Sequence, residues 1–335
     1  MKVAVVTNSD VTGVINRFGQ SYPQPPQPWP QVSYYEHLVA AVQEDGHETL
    51  LCQGDKGLLT TLERFMPPDA LGRPSGIVFN LAEGIQGKYR FTHVPAMLEM
   101  AGVPYTGSSP LGHALADDKV ISKTLIRESG VPTPNFRVMS CGTESSGDLQ
   151  FPVVVKPRNE DNSFGLQLVP EPAQLRQAVE AIAMQYAQDA LVEEYIDGRE
   201  ITVSLLGNGE LEVLPLVELD FGDHEPRLIT WEAKYMHRGA PQKICPAEIG
   251  SKLSTVLRDI SVAAFHACHC QDYARVDLRI DRSGQPFILE VNSMPGLGMD
   301  GPYVLAGAMA GHSFSSLVNR IVDVAHNRYF GVGIS

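Results

Sequence analysis

The chain has 335 residues, of which 43% are hydrophobic and 19% charged, with a formal net charge of −13. That length suits two or three subdomains rather than one core, and the composition is that of a soluble globular protein. The negative balance excludes a general nucleic-acid surface, though not a local pocket for a phosphate ligand. No run of 18 apolar residues occurs, so no membrane-spanning helix is expected and a cytoplasmic location is.

The opening "MKVAVVTNSD" reads as a first strand over residues 2–7 rather than a signal peptide. "SYPQPPQPWPQ" (21–31) is Pro-rich and predicts an extended surface loop, with a lid or interface arm as the alternative. "VSYYEHLVAAVQEDGHE" (32–48) has apolar residues at helical spacing, with Gly46 near its end. "TLLCQG" and "GIVFNLAEG" (76–84) read as the second and third strands. "HVPAMLEMAGVPYTGSS" gives a short helix capped by Gly102, then another strand. This β-α-β alternation implies a mostly parallel sheet, with ligands at the carboxyl ends of its strands.

"ADDKVISKTLIRESGVPTPNF" (116–136) predicts one helix closed by Gly130. From about residue 137 the pattern becomes α+β with antiparallel strands. "FPVVVKP" is a strand, "NEDNSFG" a polar loop and "PAQLRQAVEAIAMQYA" a helix. "ALVEEYI" and "REITVSLLGNGELEVLPLVEL" are strands, the latter folded at a Gly-Asn-Gly hairpin turn. A polar loop (222–244), a helix (250–270), a hairpin (275–292) and a last helix (313–328) follow. The expected class is α/β followed by α+β, divided as 1–118, 119–199 and 200–335. Five cysteines are present, two of them in "HACHC" (266–270). On a helix, Cys268 and Cys270 would lie about 200° apart and could not share an ion, so reduced thiols are expected.

"FILEVNSMPGL" (287–297) carries the chemistry. Side chains at i and i+2 share one face of a strand, so Glu290 and Asn292 sit together after an apolar run. If the hairpin turn centres between Ser283 and Gly284, Asp277 lies opposite Glu290. Facing carboxylates repel, and three converging oxygen ligands suit Mg²⁺, which completes its shell with water and phosphate. A solvated outer face is the plain alternative. Lys156 ends the apolar strand "FPVVV" and needs an anionic partner unless its ammonium reaches the surface. Lys119 begins the helix after "ADD". The loop "NEDNSFG" has the small, polar character of a phosphate cover. "LVEEYIDGRE" sets Glu193 and Glu194 at a strand end and Glu200 after a turn, where acids can hydrogen-bond a nucleoside.

Together these segments resemble the ATP-grasp superfamily, and more closely the D-alanine–D-alanine ligase-like carboxylate–amine ligases. The resemblance rests on "GVPYTGSSPLGHALADDKVISKTLIRESGVPTP", "FPVVVKPRNEDNSFGL", "LVEEYIDGREITVSLL", "EAKY" before "CPAEI", and "YARVDLRIDRSGQPFILEVNSMPGL". They fall in the family's order and span most of residues 76–325. The resemblance implies a parallel pre-ATP-grasp domain followed by two α+β subdomains that sandwich ATP. It implies that Lys119 and Lys156 contact ATP phosphates, that Glu193, Glu194 and Ile196 lie at the adenine and Glu200 at the ribose. Lys234 of "EAKY" would reach the γ-phosphate, and Ser163 would close over the phosphates. Asp277, Glu290 and Asn292 would hold two Mg²⁺ ions, with Mn²⁺ as a substitute. Arg275 and the Gly296 N–H would stabilise an oxyanion, and Tyr235 would belong to the substrate network. A homodimer is also implied.

The sequence departs from the family at the substrate. "TNSDVTGVINRFGQ" has only Asp10 where the family carries an acid for the first ammonium group. Asn162 replaces the phosphate-loop serine. Gly301 and Pro302 replace the Ser-Leu pair that receives the second carboxylate, and proline has no N–H to donate. Glu83, Lys88 and Arg90 of "NLAEGIQGKYR" suggest a larger or more anionic substrate. The leading expectation is therefore an ATP-dependent carboxylate–amine ligase acting on amino-acid-like substrates through an acyl phosphate. An authentic D-alanine–D-alanine ligase and an ATP-binding module without turnover are the alternatives. A Rossmann oxidoreductase fits poorly, since no GxGxxG follows the first strand.

Overall fold

The computed structural model describes residues 1–8, 32–85, 87–229 and 240–331. The Pro-rich stretch 21–31, Asp10, Lys234 and Tyr235 lie outside the described residues.

Strands β1 (Lys2–Thr7), β2 (Glu48–Gln53) and β3 (Gly76–Asn80) form a parallel sheet in the order β2-β1-β3. Alternate residues of β1 and β3 feed two cores, because both faces are covered. Val3, Val5, Ile77 and Phe79 pack with Leu38 and Val42 of α1 (Val32–Glu44). Ala4, Val6 and Val78 pack with α2 (Leu58–Phe65) and α3 (His93–Met100). Two predicted bounds shorten: α1 ends at Glu44, since Gly46 turns left-handed, and β3 ends at Asn80, whose side chain accepts from the Ala82 N–H.

The single helix predicted from residue 116 is two helices, α4 (Pro110–Asp117) and α5 (Lys119–Glu128). Asp118 between them is extended, and its carboxylate accepts from the N–H groups of Val120 and Ile121. This N-cap satisfies donors that a helix start leaves open. It makes Lys119 the first residue of α5.

A second, antiparallel sheet has the order β4-β7-β5-β6: β4 (Phe136–Met139), β5 (Val153–Pro157), β6 (Gln167–Val169) and β7 (Ala190–Glu194). Helix α6 (Pro172–Tyr186) covers one face through Leu175, Val179 and Ile182. The short strands β4 and β6 carry too little periodicity to be read from sequence.

The third sheet runs β11-β10-β8-β12-β13, with β9 beside β8. Its strands are β8 (Gly198–Leu206), β9 (Glu212–Val213), β10 (Val217–Asp220), β11 (Gln242–Ile244), β12 (Tyr273–Asp281) and β13 (Pro286–Asn292). One face, with Ile201, Val203, Val276, Leu278 and Ile280, packs on α7 (Ser251–Ala267). The opposite face is polar and forms the floor of a cleft. Helix α7 stops short of residue 270, because His269 adopts a left-handed backbone. Cys268 and Cys270 are both buried, with free thiols. Helices α8 (Pro302–Met309) and α9 (Phe314–Phe330) complete the described fold.

A buried charge ties these parts together. Asp272, fully buried, accepts from the Gly107 N–H at 2.7 Å, Asn208 Nδ2 at 2.8 Å and Arg328 Nε at 2.9 Å. Arg328 also donates to the Tyr105 carbonyl at 2.8 Å. The knot joins the edge of the parallel sheet, the β8–β9 turn, the start of β12 and α9. Asp272→Ala leaves the Arg328 guanidinium without its anion, and breaking such a pair costs about 3–5 kcal/mol. Denaturant unfolding of the variant should show that loss; a change near zero would refute the role given to this knot.

Candidate functional site

The cleft floor follows from strand register. Glu200 and Thr202 of β8 lie opposite Arg279 and Asp277 of β12, and Ser204 opposite Arg275. Across the other edge of β12, Asp277 lies opposite Glu290, and Arg275 opposite Asn292, as expected. The turn alone would not give this pairing, since Leu278 pairs with Ile288. A register shift beside Asp277 leaves Leu289 as the extra residue and brings Glu290 into line. Bulges of this kind re-aim side chains.

The carboxylates are compensated by cations. Arg275 grips Asp277 with two bonds of 2.7 Å, and Asn292 Nδ2 donates to Asp277 at 2.9 Å. Lys119 Nζ stands 3.9 Å from Glu290 and 4.0 Å from Asp161, and donates to the Glu160 carbonyl at 2.6 Å. Burial works against the Lys119 charge, but Glu290 and Asp161 outweigh it and raise its pKa.

Lys156 finds its anion in Glu193, 2.5 Å away on β7. The same carboxylate holds Lys123 at 2.7 Å. Lys123 is fully buried, and burial lowers its pKa to about 8 despite Glu193. Sequence reasoning passed over Lys123, although it lies one helical turn after Lys119 and so shares its face. Burial raises the Glu193 pKa, but its two lysines prevail and leave it below the ordinary value.

Glu194 follows Glu193 on β7. Strand alternation turns it away from Glu193, and it accepts from the Gln150 N–H and Asn135 Nδ2 on the exposed side. Ile196 offers its carbonyl to Arg279 at 2.8 Å. Arg279, also passed over, is fully buried against the Tyr195 ring and pairs with Glu200 at 3.3 Å.

The cavity has a volume of about 600 Å³, within the range of small-molecule sites. Lys119, Lys156, Ser163, Glu200, Arg275 and Asp277 line it, as do Glu290, Asn292 and Gly296. On its rim, Asn162 and Ser163 are consecutive left-handed residues, φ 55° and 60°. Such a backbone is costly for serine and is found at ligand clamps.

One end of the cavity is acidic. Glu83, Asp117, Glu160 and Asp161 line it. Burial, with Asp161 and Glu160, lifts Glu83 to about 7 against the pull of Arg90. Gly84 makes the turn that presents Glu83: φ is +76°, and a Cβ there would come within 2.1 Å of the Arg90 carbonyl oxygen. The anionic substrate suggested by Lys88 and Arg90 finds no support here. Lys88 is exposed outside the cavity, and Arg90 already faces Glu160 at 3.8 Å.

A family model described as the D-ala D-ala ligase C-terminus matches residues 125–323. The D-alanine–D-alanine ligase of Syntrophobacter fumaroxidans is 36% identical over 237 residues, 69% of this chain and 75% of that protein. The chain belongs to the D-alanine–D-alanine ligase family. An uncharacterized protein of Sinorhizobium fredii, y4sG, is 75% identical over 334 residues, covering 100% of this chain and 99% of its own. The crystal structure of D-alanine–D-alanine ligase from Bacillus anthracis complexed with ATP aligns with a TM-score of 0.73 at 22% identity, covering 100% of both chains. The expected ATP-grasp fold and the expected class, an ATP-dependent carboxylate–amine ligase of the D-alanine–D-alanine ligase type, are thereby borne out. No described helix is long and apolar enough to cross a membrane.

Glu83 makes a pH prediction. Its folded pKa is raised from 4.5 to about 7, so its contribution to stability is fully present below pH 4.5 and lost as pH rises through 7. Thermal midpoints of Glu83→Gln should therefore gain on the parent protein between pH 5 and 8. A gap that stays constant over that window would refute the shift.

Proposed function

We propose that this family member joins an amino-acid-like carboxylic acid to an amine other than D-alanine, using ATP and Mg²⁺. The observation that carries this reading is the Asp277–Glu290 pair with Asn292, set on the cleft floor between Arg275 and Lys119. The donor set fits the metal: two carboxylates and a carboxamide are hard oxygen ligands. Asp277, Glu290 and Asn292 would hold two Mg²⁺ ions, or Mn²⁺ in their place. Bound there, the ions would offset charge on the phosphates during transfer.

Lys119, Lys156 and Lys234 would bind the nucleotide's phosphates, and Ser163 with its loop N–H groups would close over them. Glu193, Glu194 and Ile196 would meet the adenine and Glu200 the ribose. A carboxylate oxygen of the acid attacks the γ-phosphorus, the bond to the β-phosphate oxygen breaks, ADP leaves and an acyl phosphate forms. The amine then attacks the acyl carbon, phosphate leaves, and an amide remains. Arg275 and the Gly296 N–H would stabilise the oxyanion, and Tyr235 would orient the substrate. The division at residues 118 and 199, the homodimer and the cytoplasmic location belong to the same reading.

Against D-alanine as the amine stands the loop before α8. The Gly301 N–H already donates to the Gly298 carbonyl at 2.8 Å, and Pro302 has none to offer. The names of the relatives favour the second reading, an authentic D-alanine–D-alanine ligase.

A coupled ADP-release assay with ATP and Mg²⁺, run on single amino acids and on pairs with products read by mass spectrometry, separates the two. Release only with a mixed pair is expected; release with D-alanine alone establishes the second reading. ATP binding without release for any pair overturns both. Arg275→Ala should lower turnover by roughly 10²–10³-fold, as loss of an oxyanion donor does in other acyl transfers.

A further inference from the structure

We propose that the acid substrate is a basic amino acid, whose α-ammonium and side-chain cation are recognised by Glu83 and Asp117. This rests on the ligase reading above and names the substrate class of the same site.

Four carboxylates enter one end of the cavity from three segments. Glu83 comes from the turn after β3, Asp117 from the end of α4, and Glu160 and Asp161 from the loop after β5. Two cations oppose them: Arg90, 3.8 Å from Glu160, and Lys119, 4.0 Å from Asp161. Lys119 is also shared with Glu290 at 3.9 Å. Among these described residues carboxyl groups outnumber cations, and an unpaired carboxylate held out of water is costly.

Asp117 supplies the independent observation. It is nine-tenths buried, and its Oδ2 has no hydrogen-bond donor among the described residues. Buried carboxylate oxygens are nearly always satisfied, so this one is set for a donor that arrives with a ligand. Burial and the neighbouring Asp161 raise its pKa, and Glu83 is raised in the same way. A bound cation would relieve both.

Lys119 spans the acidic end and Glu290, so the two ends of one substrate can be placed. Its carboxylate would lie toward Arg275 and Gly296, and its positive groups beyond Lys119. Neutral amino acids bring one cation and leave one carboxylate unmatched. A diamino or guanidino acid brings two. Tyr34, Tyr35 and Phe91 also line the cavity and offer apolar surface to a methylene chain.

The test uses the full-length protein with ATP and Mg²⁺. Lysine, ornithine and arginine of both chiralities are compared with norleucine, which has the lysine chain without its charge. Each is paired with a panel of amino acids as amines. The dibasic acids should exceed norleucine at least tenfold in kcat/KM. Glu83→Gln and Asp117→Asn should each raise KM for the dibasic acid tenfold or more, leaving KM for ATP unchanged. Equal turnover of norleucine, equal KM shifts for both acids, or a changed Mg²⁺ requirement in these variants would each overturn the inference while leaving the ligase reading intact. If no pair releases ADP, the ligase reading fails. Thermal-shift titration with lysine against norleucine then decides the cation site by itself: a shift with lysine, absent in Glu83→Gln, supports it, and equal responses overturn it.

Discussion

Everything at the cleft depends on holding Asp277 and Glu290 face to face. Two carboxylates directly across an antiparallel pair repel, so the arrangement survives only because Arg275 and Lys119 stand beside it. Arg275 is the more constrained partner: its planar fork meets both oxygens of Asp277, while Asn292 closes the same carboxylate from β13. Lys119 is a point charge on a flexible stem and can serve several acids at once. It reaches Glu290, Asp161 and the Glu160 carbonyl together.

The same rule, that each buried charge needs an opposite, organises the surroundings of Glu193. Glu193 binds two lysines from different elements, Lys123 of α5 and Lys156 of β5. One carboxylate between two ammonium groups leaves a positive excess, suited to an anion such as phosphate. Of these groups Lys156 lines the cavity, as Lys119 does, while Lys123 and Glu193 are buried. At the acidic end of the cavity the excess is negative, among Glu83, Asp117, Glu160 and Asp161. A phosphate-bearing nucleotide and a cationic acid would meet over the Asp277–Glu290 pair without competing for the same charges.

Much of the candidate site was legible because strand alternation is a local property. The i, i+2 spacing of Glu290 and Asn292 put the two on one face before any fold was known. The lysine at the end of "FPVVV" asked for an anion, and one is present. Glu193 and Glu194 show the limit of this reasoning. As neighbours in a strand they cannot both face the cleft, and alternation alone should have separated them; which of the two turns inward was settled by Lys123 and Lys156. Lys123 itself looked like an ordinary exposed helix lysine, since nothing local reports that its helix face is covered by β13 and Thr133.

The sequence by itself determined the parallel start and antiparallel remainder, and the acid and amide that share one face of β13. These follow from periodicities of two and 3.6 residues and from capping and turn residues, all of which act over a few positions. Only the tertiary structure decided which charges meet. Lys119 reaches Glu290 across 171 positions of chain, counted as 290 − 119, and Asp117 joins Glu83 and Asp161 from separate segments. A local pattern carries no information about such distant partners, because burial and Coulomb energy depend on distance in space and not along the chain. For that reason the sequence pointed to a larger or more anionic substrate through Glu83, Lys88 and Arg90, while the folded cavity, with Lys88 outside it and Arg90 already facing Glu160, presents an excess of carboxyl groups among its described residues.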